Sequence, residues 1–460
     1  MKKINNLFLD ITVHLLFVVL FIYAFAFYKE RLFSDSGYYI YRVIDEKGFV
    51  IGLNRFVLFF SQILPVMAVK VGCCLKTILV SYSINHVLFF YILFLISRYI
   101  YKNRLAGILL ILVQTIGIQS AFFSPMFELY YGVGFLILFD VILNKKLHSR
   151  TDILLLIVLA LIVLTSHPLT YFLFLFVLTF HFLIHRWKYI SYYLVAIVLI
   201  IVVMVFKKYT ASEYEQGKTN SIFYLLHNGV YDRNYLGSLA IFLFQYYREL
   251  LLLTAITIIY FAIKKDFVKV ILFPCSFLFF LALLNLAYYG FQHSRYQEAV
   301  YFPLFFVVSY TFVYYVLNGM EFKSAIIMCF LLIGLTISRF IVIKNEGIIF
   351  SERVEKMEEL VEYCRTLDGN KFIVKMQYLT HNSTAEVSWS YPMETMLLSG
   401  INPEKKTITI CTDDDMATND NSSKLQPENY LMRCWDIKDD KSVNQKYFHL
   451  KDTNYILLNK

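Results

Sequence analysis

Four short stretches carry the residues whose types and spacing could do chemistry. The first is Ser34-Asp35-Ser36-Gly37-Tyr38-Tyr39, an aspartate a few residues past a long apolar run, followed by glycine and paired aromatics. Partial desolvation at that depth raises a carboxylate's pKa and suits Asp35 to general-base work. A helix N-cap with tyrosines in an interfacial belt is the other use of the same hexapeptide. Ser124-Pro125-Met126-Phe127-Glu128 is a tight turn that ends in a second carboxylate, at the start of another apolar run. Carboxylates there are costly unless hydrated, paired or used. Asp35 and Glu128 converge if their flanking helices are neighbours, giving one base and one orienting acid or metal ligand. Hydration and a favourable helix dipole would account for Glu128 alone. In His167-Pro168 the proline suits the first turn of a following helix. His167 is then a cap or a hydrogen-bond partner for phosphate or sugar. Last comes Gln292-His293-Ser294-Arg295-Tyr296-Gln297-Glu298, continuing to Pro303. An arginine beside aromatics can grip a phosphate or diphosphate through a bidentate fork; snorkelling or pairing with Glu298 is the alternative. Arg233 and Arg248, in and after the polar stretch Lys207 to Leu236, are further candidates, as are His293 and Tyr38 as substrate contacts.

These residues need elements to hold them, and the composition says which. The 460 residues are 58% hydrophobic and 17% charged, against about a quarter charged in ordinary soluble domains. Apolar runs recur from Ile11 to Ile343, many near the ~20 residues that cross ~30 Å of hydrocarbon as helix. They lack the alternation of a barrel, so helices are expected. Expected spans are Ile11 to Tyr28, Lys76 to Ile96, Leu105 to Phe123, Leu129 to Leu143, Ile153 to Ser166, Leu169 to Ile184, Tyr189 to Phe206, Leu239 to Ile263, Val268 to Tyr289, Tyr301 to Leu317 and Ser324 to Ile343. The first follows Met1-Lys2-Lys3, but Tyr28-Lys29-Glu30-Arg31 rather than a small-residue cleavage site comes after it, so it reads as a retained span. Leu53 to Val71 is apolar but carries Arg55, Gln62, Pro65 and Lys70, and reads as helices lying at the interface.

The fold class expected is thus an all-α polytopic membrane protein of about eleven helices, N-terminus in and C-terminus out, with a small C-terminal α+β soluble domain. The net charge of +9 gathers in short turns: Arg98-Lys102-Arg104, Lys145-Lys146-Arg150, Arg186-Lys188 and Lys264-Lys265-Lys269. That is the positive-inside pattern and a contact with membrane lipids, not a nucleic-acid surface. It puts every candidate residue above on the outer side. The expected domains are 1–343 in the membrane and 344–460 outside it. In the tail, Ser351 to Leu367 reads as an amphipathic helix, and Lys371 to Met376, Thr407 to Cys411, Tyr430 to Trp435 and Tyr455 to Leu458 as strands. Asp413-Asp414-Asp415 reads as a turn after a strand, with a metal site as the other reading. Of the seven cysteines, Cys364, Cys411 and Cys434 allow one disulfide in an oxidising compartment.

At this point the pattern resembles the polytopic C-type glycosyltransferase superfamily, which includes protein mannosyltransferases and lipid A aminoarabinose transferases. The matching features are Asp35 early in a long first outer loop, the interface helices Leu53 to Val71, and Glu128 opening the fourth span. Arg295, Tyr296 and Pro303 at the start of a late span and a folded tail complete the likeness, which covers nearly the whole chain. The resemblance implies sugar transfer from a polyprenyl-phosphate donor on the outer leaflet to a lipid, glycan or protein acceptor. Asp35 would activate the acceptor, Arg295 would hold the donor phosphate, and Glu128 would assist the acceptor or a divalent cation. Asp35 is followed by Ser36 where many members carry a second acid, which leaves metal dependence open. The 36 Tyr and 44 Phe could line a polyprenyl groove, though span packing accounts for most of them. An Ile/Phe/Tyr/Lys-heavy composition points to a bacterial inner membrane with a periplasmic C-terminal domain. An O-antigen polymerase or ligase, or a lipid-linked saccharide transporter, are the alternatives. The first would favour a late Arg/His-rich outer loop, the second ionisable groups at mid-membrane.

Overall fold

A computed structural model describes residues 6–145, 149–210, 216–217, 233–287, 295–379, 387–451 and 453–458. Helix dominates it. Among the described residues, six helices are long and apolar enough to cross a membrane, and a seventh if Gly237–Tyr246 and Arg248–Ile263, bent by 99°, form one broken span. The chain is a helical membrane protein. The first helix, Asn6–Ala26, shows why. Leu9, Val13, Phe17, Leu20 and Ala24 form a buried stripe at three-four spacing, while Phe8, Ile11, Leu15, Val18, Ile22 and Phe25 stay exposed. A helix apolar on both faces needs lipid on the uncovered one. At the other extreme, every residue of Glu128–Leu143 is buried, which makes it the central helix. Its glycines permit close packing: a Cβ at Gly132 would sit 2.2 Å from Ser166 Oγ, and one at Gly134 2.8 Å from Leu93 Cδ1.

Two expectations change, while Leu53 to Val71 is helical in short pieces as expected. The run Leu105 to Phe123 is not one helix. It is helical only over Leu105–Leu112, then turns through Gly117 at φ 73° into a short 3-10 segment, Ser120–Phe123. The backbone N–H groups of Gln119, Ser120 and Ala121 donate instead to the Glu298 carboxylate at 2.9, 2.9 and 2.8 Å, and Arg339 donates to Ile118 O at 2.8 Å. Leu53 to Val71 holds two short helices, Leu58–Ser61 and Ile63–Val71. The longer, at 1.5 Å per residue, spans about 13 Å and cannot cross ~30 Å of hydrocarbon. Finally, no boundary falls at 343/344, because Phe322–Arg365 is a single helix of 44 residues.

Beyond that helix lies an α+β unit. Strand β1 (Lys371–Val374) pairs in parallel with β2 (Thr409–Thr412) on one side and β5 (Ile456–Leu457) on the other. β3 (Asn429–Arg433) and β4 (Asp436–Asp439) form an antiparallel pair. The helix Tyr391–Gly400 is buried throughout and is tied to β2 by Thr395 Oγ1, which accepts from Ile410 N at 3.0 Å. The Asp413 to Asp415 run caps a short helix: Thr412 Oγ1 accepts from Asp415 N and donates to the Asp415 carboxylate at 2.7 Å. Cys364, Cys411 and Cys434 form no disulfide.

The unit does not stand apart from the membrane helices. Tyr41 and Tyr430 share a hydroxyl hydrogen bond of 2.5 Å, Asn444 Nδ2 donates to Ile44 O at 2.6 Å, and Lys446 Nζ donates to Gly72 O at 2.8 Å. The segment after the first helix is its docking platform.

Candidate functional site

The helix Asp35–Glu46 and the helix Arg295–Thr311 begin side by side, which brings Asp35, Arg295 and Tyr296 together. Arg295 Nη2 lies 3.1 Å from Asp35 Oδ2, and the Tyr296 hydroxyl donates to the same oxygen at 2.5 Å. Arg295 Nη2 also donates to Ser34 Oγ at 2.5 Å and Nη1 to Ser124 Oγ at 3.0 Å. The guanidinium stacks over the Phe33 and Tyr296 rings at 4.7 and 4.2 Å. Its side chain is 3% exposed, whereas that of Asp35 is 28% exposed. The arginine therefore stands behind the aspartate as a fixed counter-charge, and the Asp35 carboxylate faces outward. Arg295 does not pair with Glu298, whose carboxylate is committed to residues 119–121.

Ser34 makes this arrangement possible at a cost. Its φ of 55° and ψ of −120° lie in a region that L-residues rarely adopt, a strain of about 1–3 kcal/mol that the surroundings must override. Glu394 supplies the hold from the α+β unit: its Oε1 accepts from Ser34 N at 2.8 Å and from Ser390 Oγ at 2.5 Å. Its Oε2 pairs with Arg353, and both side chains are 2% exposed. Gly37 lets the chain pass this closely, since a Cβ there would meet Leu32 O at 2.4 Å and Glu394 Cγ at 3.2 Å.

Glu128 belongs to an adjoining cluster. Arg55 Nη1 pairs with Glu128 Oε1 at 2.9 Å. The Tyr39 hydroxyl between the two clusters has its pKa raised by burial first and then by Glu128, with Asp35 adding and Arg55 opposing. Lys207 Nζ donates to Leu53 O at 2.9 Å. His167 acts as a cap: its Nδ1 accepts from Leu169 N at 3.2 Å. Burial, together with the Arg55 and Lys207 charges, pushes His167 down to about 3, so the ring is neutral at ordinary pH.

Other expected residues lie elsewhere. Tyr38 points toward the α+β unit, where its hydroxyl accepts from Arg42 Nη1 at 2.6 Å and Arg433 covers its ring at 4.2 Å. Arg248 is exposed at the start of its helix and joins neither cluster. Arg233 opens the helix Arg233–Tyr246; its side chain and the whole of His293 lie outside the described residues. Ser34, Ser124, Arg55, Arg353 and Glu394 were not singled out as site residues from sequence. The only signal for Arg55 was its place in an otherwise apolar segment. No known protein family, curated protein or solved structure matches the chain.

Proposed function

We propose that the chain is a membrane glycosyltransferase of the polytopic C-type kind, transferring a sugar from a polyprenyl-phosphate donor to an acceptor at the outer leaflet. In this reading about eleven crossings, one of them the helix Leu105–Leu112 continued by the buried irregular stretch to Phe123, leave the N-terminus inside and the α+β unit outside, in the periplasm of a bacterial inner membrane. The observation that carries it is a partly exposed carboxylate, Asp35, held from behind by a buried arginine and a tyrosine where two helices begin side by side. Among the described residues, Asp35 Oδ1 has no protein partner and is the oxygen available as base. It takes the proton of an acceptor hydroxyl or amine while the acceptor attacks the anomeric carbon. The sugar–phosphate bond breaks, and the electron pair leaves with the lipid phosphate.

The enclosure of Arg295 changes the role expected of it. Its Nη atoms serve Asp35, Ser34, Ser124 and Phe33 O, so it orients the base and does not grip the donor. The cations nearer Glu128, Arg55 and Lys207, are the ones suited to the departing phosphate. A divalent cation does not fit the donors present. Asp35 and Glu128 are each paired with an arginine, and among the described residues no three acid, histidine or cysteine side chains gather.

The test is transfer of a labelled sugar from a polyprenyl-phosphate lipid by the purified protein in liposomes. Asp35→Asn should abolish turnover with membrane insertion intact; retained turnover removes Asp35 as base. Arg295→Gln should lower kcat about 100-fold or more with little change in donor KM. A raised donor KM at unchanged kcat would put the arginine on the phosphate. A reporter fused at the C-terminus should read as periplasmic, and a cytosolic signal would separate the site from its leaflet.

A further inference from the structure

Below the Asp35 helix lies a second charged group that the proposed reaction does not use. Arg31 follows the first helix in a short 3-10 turn, Glu30–Leu32, and is fully buried, at 0% exposure. Among the described residues it has no carboxylate partner. The neighbouring Glu30 is turned to Ser351, from which its Oε1 accepts at 2.7 Å. What surrounds Arg31 is aromatic and neutral: its guanidinium lies 4.2 Å from the Phe122 ring centroid, and Nη2 lies 3.2 Å from His86 Nδ1. Burial pulls the guanidinium down to about 9, offset only by the Tyr131 and Tyr82 phenols, so it stays charged at neutral pH. A buried charge without a counter-ion is among the most costly features a fold can hold.

The polar atoms around it share one property. A guanidinium nitrogen only donates, so the contact with His86 makes Nδ1 the acceptor and assigns the imidazole proton to Nε2. That Nε2 is buried with no partner, as are Arg31 Nε and Nη1, Tyr82 OH and Ser36 Oγ. Tyr82 sits one turn before His86 on the helix Leu75–Leu95. Ser36 Oγ faces Tyr82 without a hydrogen bond of good geometry between them. Five donor-capable atoms on three separate segments are thus buried without partners, two of them on Arg31 itself; Tyr82 neighbours both the guanidinium and Ser36, and among the described residues no acid is paired with the cation. Unpartnered buried donors beside a single positive charge match an anion, and the charge balance asks for one negative unit.

We infer that Arg31, Ser36, Tyr82 and His86 form a buried site for a small monovalent inorganic anion of the chloride class. The four side chains are at most 3% exposed, which shuts out a phosphate tethered to a lipid tail. Bound there, the anion ties Ser36, the residue after Asp35, to the helix carrying Tyr82 and His86 and to the turn after the first helix.

The experiment is thermal unfolding of the purified full chain in detergent, exchanged from sodium gluconate into sodium chloride, bromide or phosphate at equal ionic strength. Chloride and bromide should raise Tm saturably, by about 2 °C or more, with gluconate and phosphate inert. Arg31→Met should abolish the difference. If that variant does not fold, Tyr82→Phe with Ser36→Ala should weaken the halide midpoint several-fold. Bromide should also give an anomalous peak beside Arg31 in crystals. A wild-type Tm indifferent to halide would leave water in the site and overturn the inference. So would a halide effect that survives in Arg31→Met, a phosphate effect equal to that of chloride, or a bromide peak elsewhere.

Discussion

Removing Glu394 tests whether the α+β unit holds the Asp35 loop. Glu394→Ala strands Arg353, which is 2% exposed and has Glu394 as its ion-pair partner. Breaking a buried pair by deleting one member costs about 3–5 kcal/mol. Ser34 N–H and Ser390 Oγ lose their acceptor as well, which adds about 1–3 kcal/mol with some overlap. The Phe33 and Tyr391 rings at 4.8 and 4.7 Å still face the guanidinium and keep the sum toward its lower half, about 4–6 kcal/mol. Adding Arg353→Met removes the orphaned charge, and an apolar replacement of a whole buried pair is close to neutral. The double variant should therefore recover about 3 kcal/mol relative to Glu394→Ala. Unfolding in graded dodecylmaltoside–SDS micelles measures the global term. Amide exchange at Ser34 measures the local one, and should be fast in both variants. A double variant as unstable as the single one would refute the reasoning, because the loss would then not come from a stranded cation.

Other outcomes follow from neighbouring features. Gly37→Ala puts a methyl 2.4 Å from a backbone carbonyl oxygen and should destabilise by about 1–3 kcal/mol; an unchanged Tm would mean the Leu32–Gly37 turn yields freely. His167 is held well below its ordinary value in the folded chain, so between about 6.5 and about 3 the unfolded state binds the extra proton, and stability falls as pH drops through that window. His167→Gln should flatten that acid-side slope relative to wild type; an identical slope would show that His167 titrates normally. A chain stopped after Ile343 ends inside a continuous helix and loses Glu346, which accepts from Gln119 Nε2 at 2.8 Å and from Ser120 Oγ, together with Arg353 and Glu394. It should fail to give a monodisperse protein on size exclusion, and a well-behaved fragment would show that the tail is independent.

The sequence makes visible those features whose physical cause lies nearby in the chain. The first helix is legible because its apolarity runs on both faces, and strands of the tail because short strand-like runs are bounded by turn residues. Asp35 and Arg295 are legible as charges placed where charge is expensive. Their mutual contact is not, since it joins positions 260 residues apart. The same limit explains the errors. A window average over Leu105 to Phe123 registers apolarity, but not that a carboxylate at Glu298 will draw three backbone N–H groups out of the helix. Arg353 reads as one of many charges in Ser351-Glu352-Arg353-Val354-Glu355-Lys356, an amphipathic surface pattern, yet it is buried against Glu394. Arg31 reads as part of the charged flank that follows a retained first span, yet it is buried against His86 and Phe122. In each case sequence gives the desolvation cost of a charge but not the group that compensates it, because compensation is set by packing between distant segments. Where the described residues also place no acid beside a buried cation, as at Arg31, the halide proposed above is the compensation that sequence could not reveal.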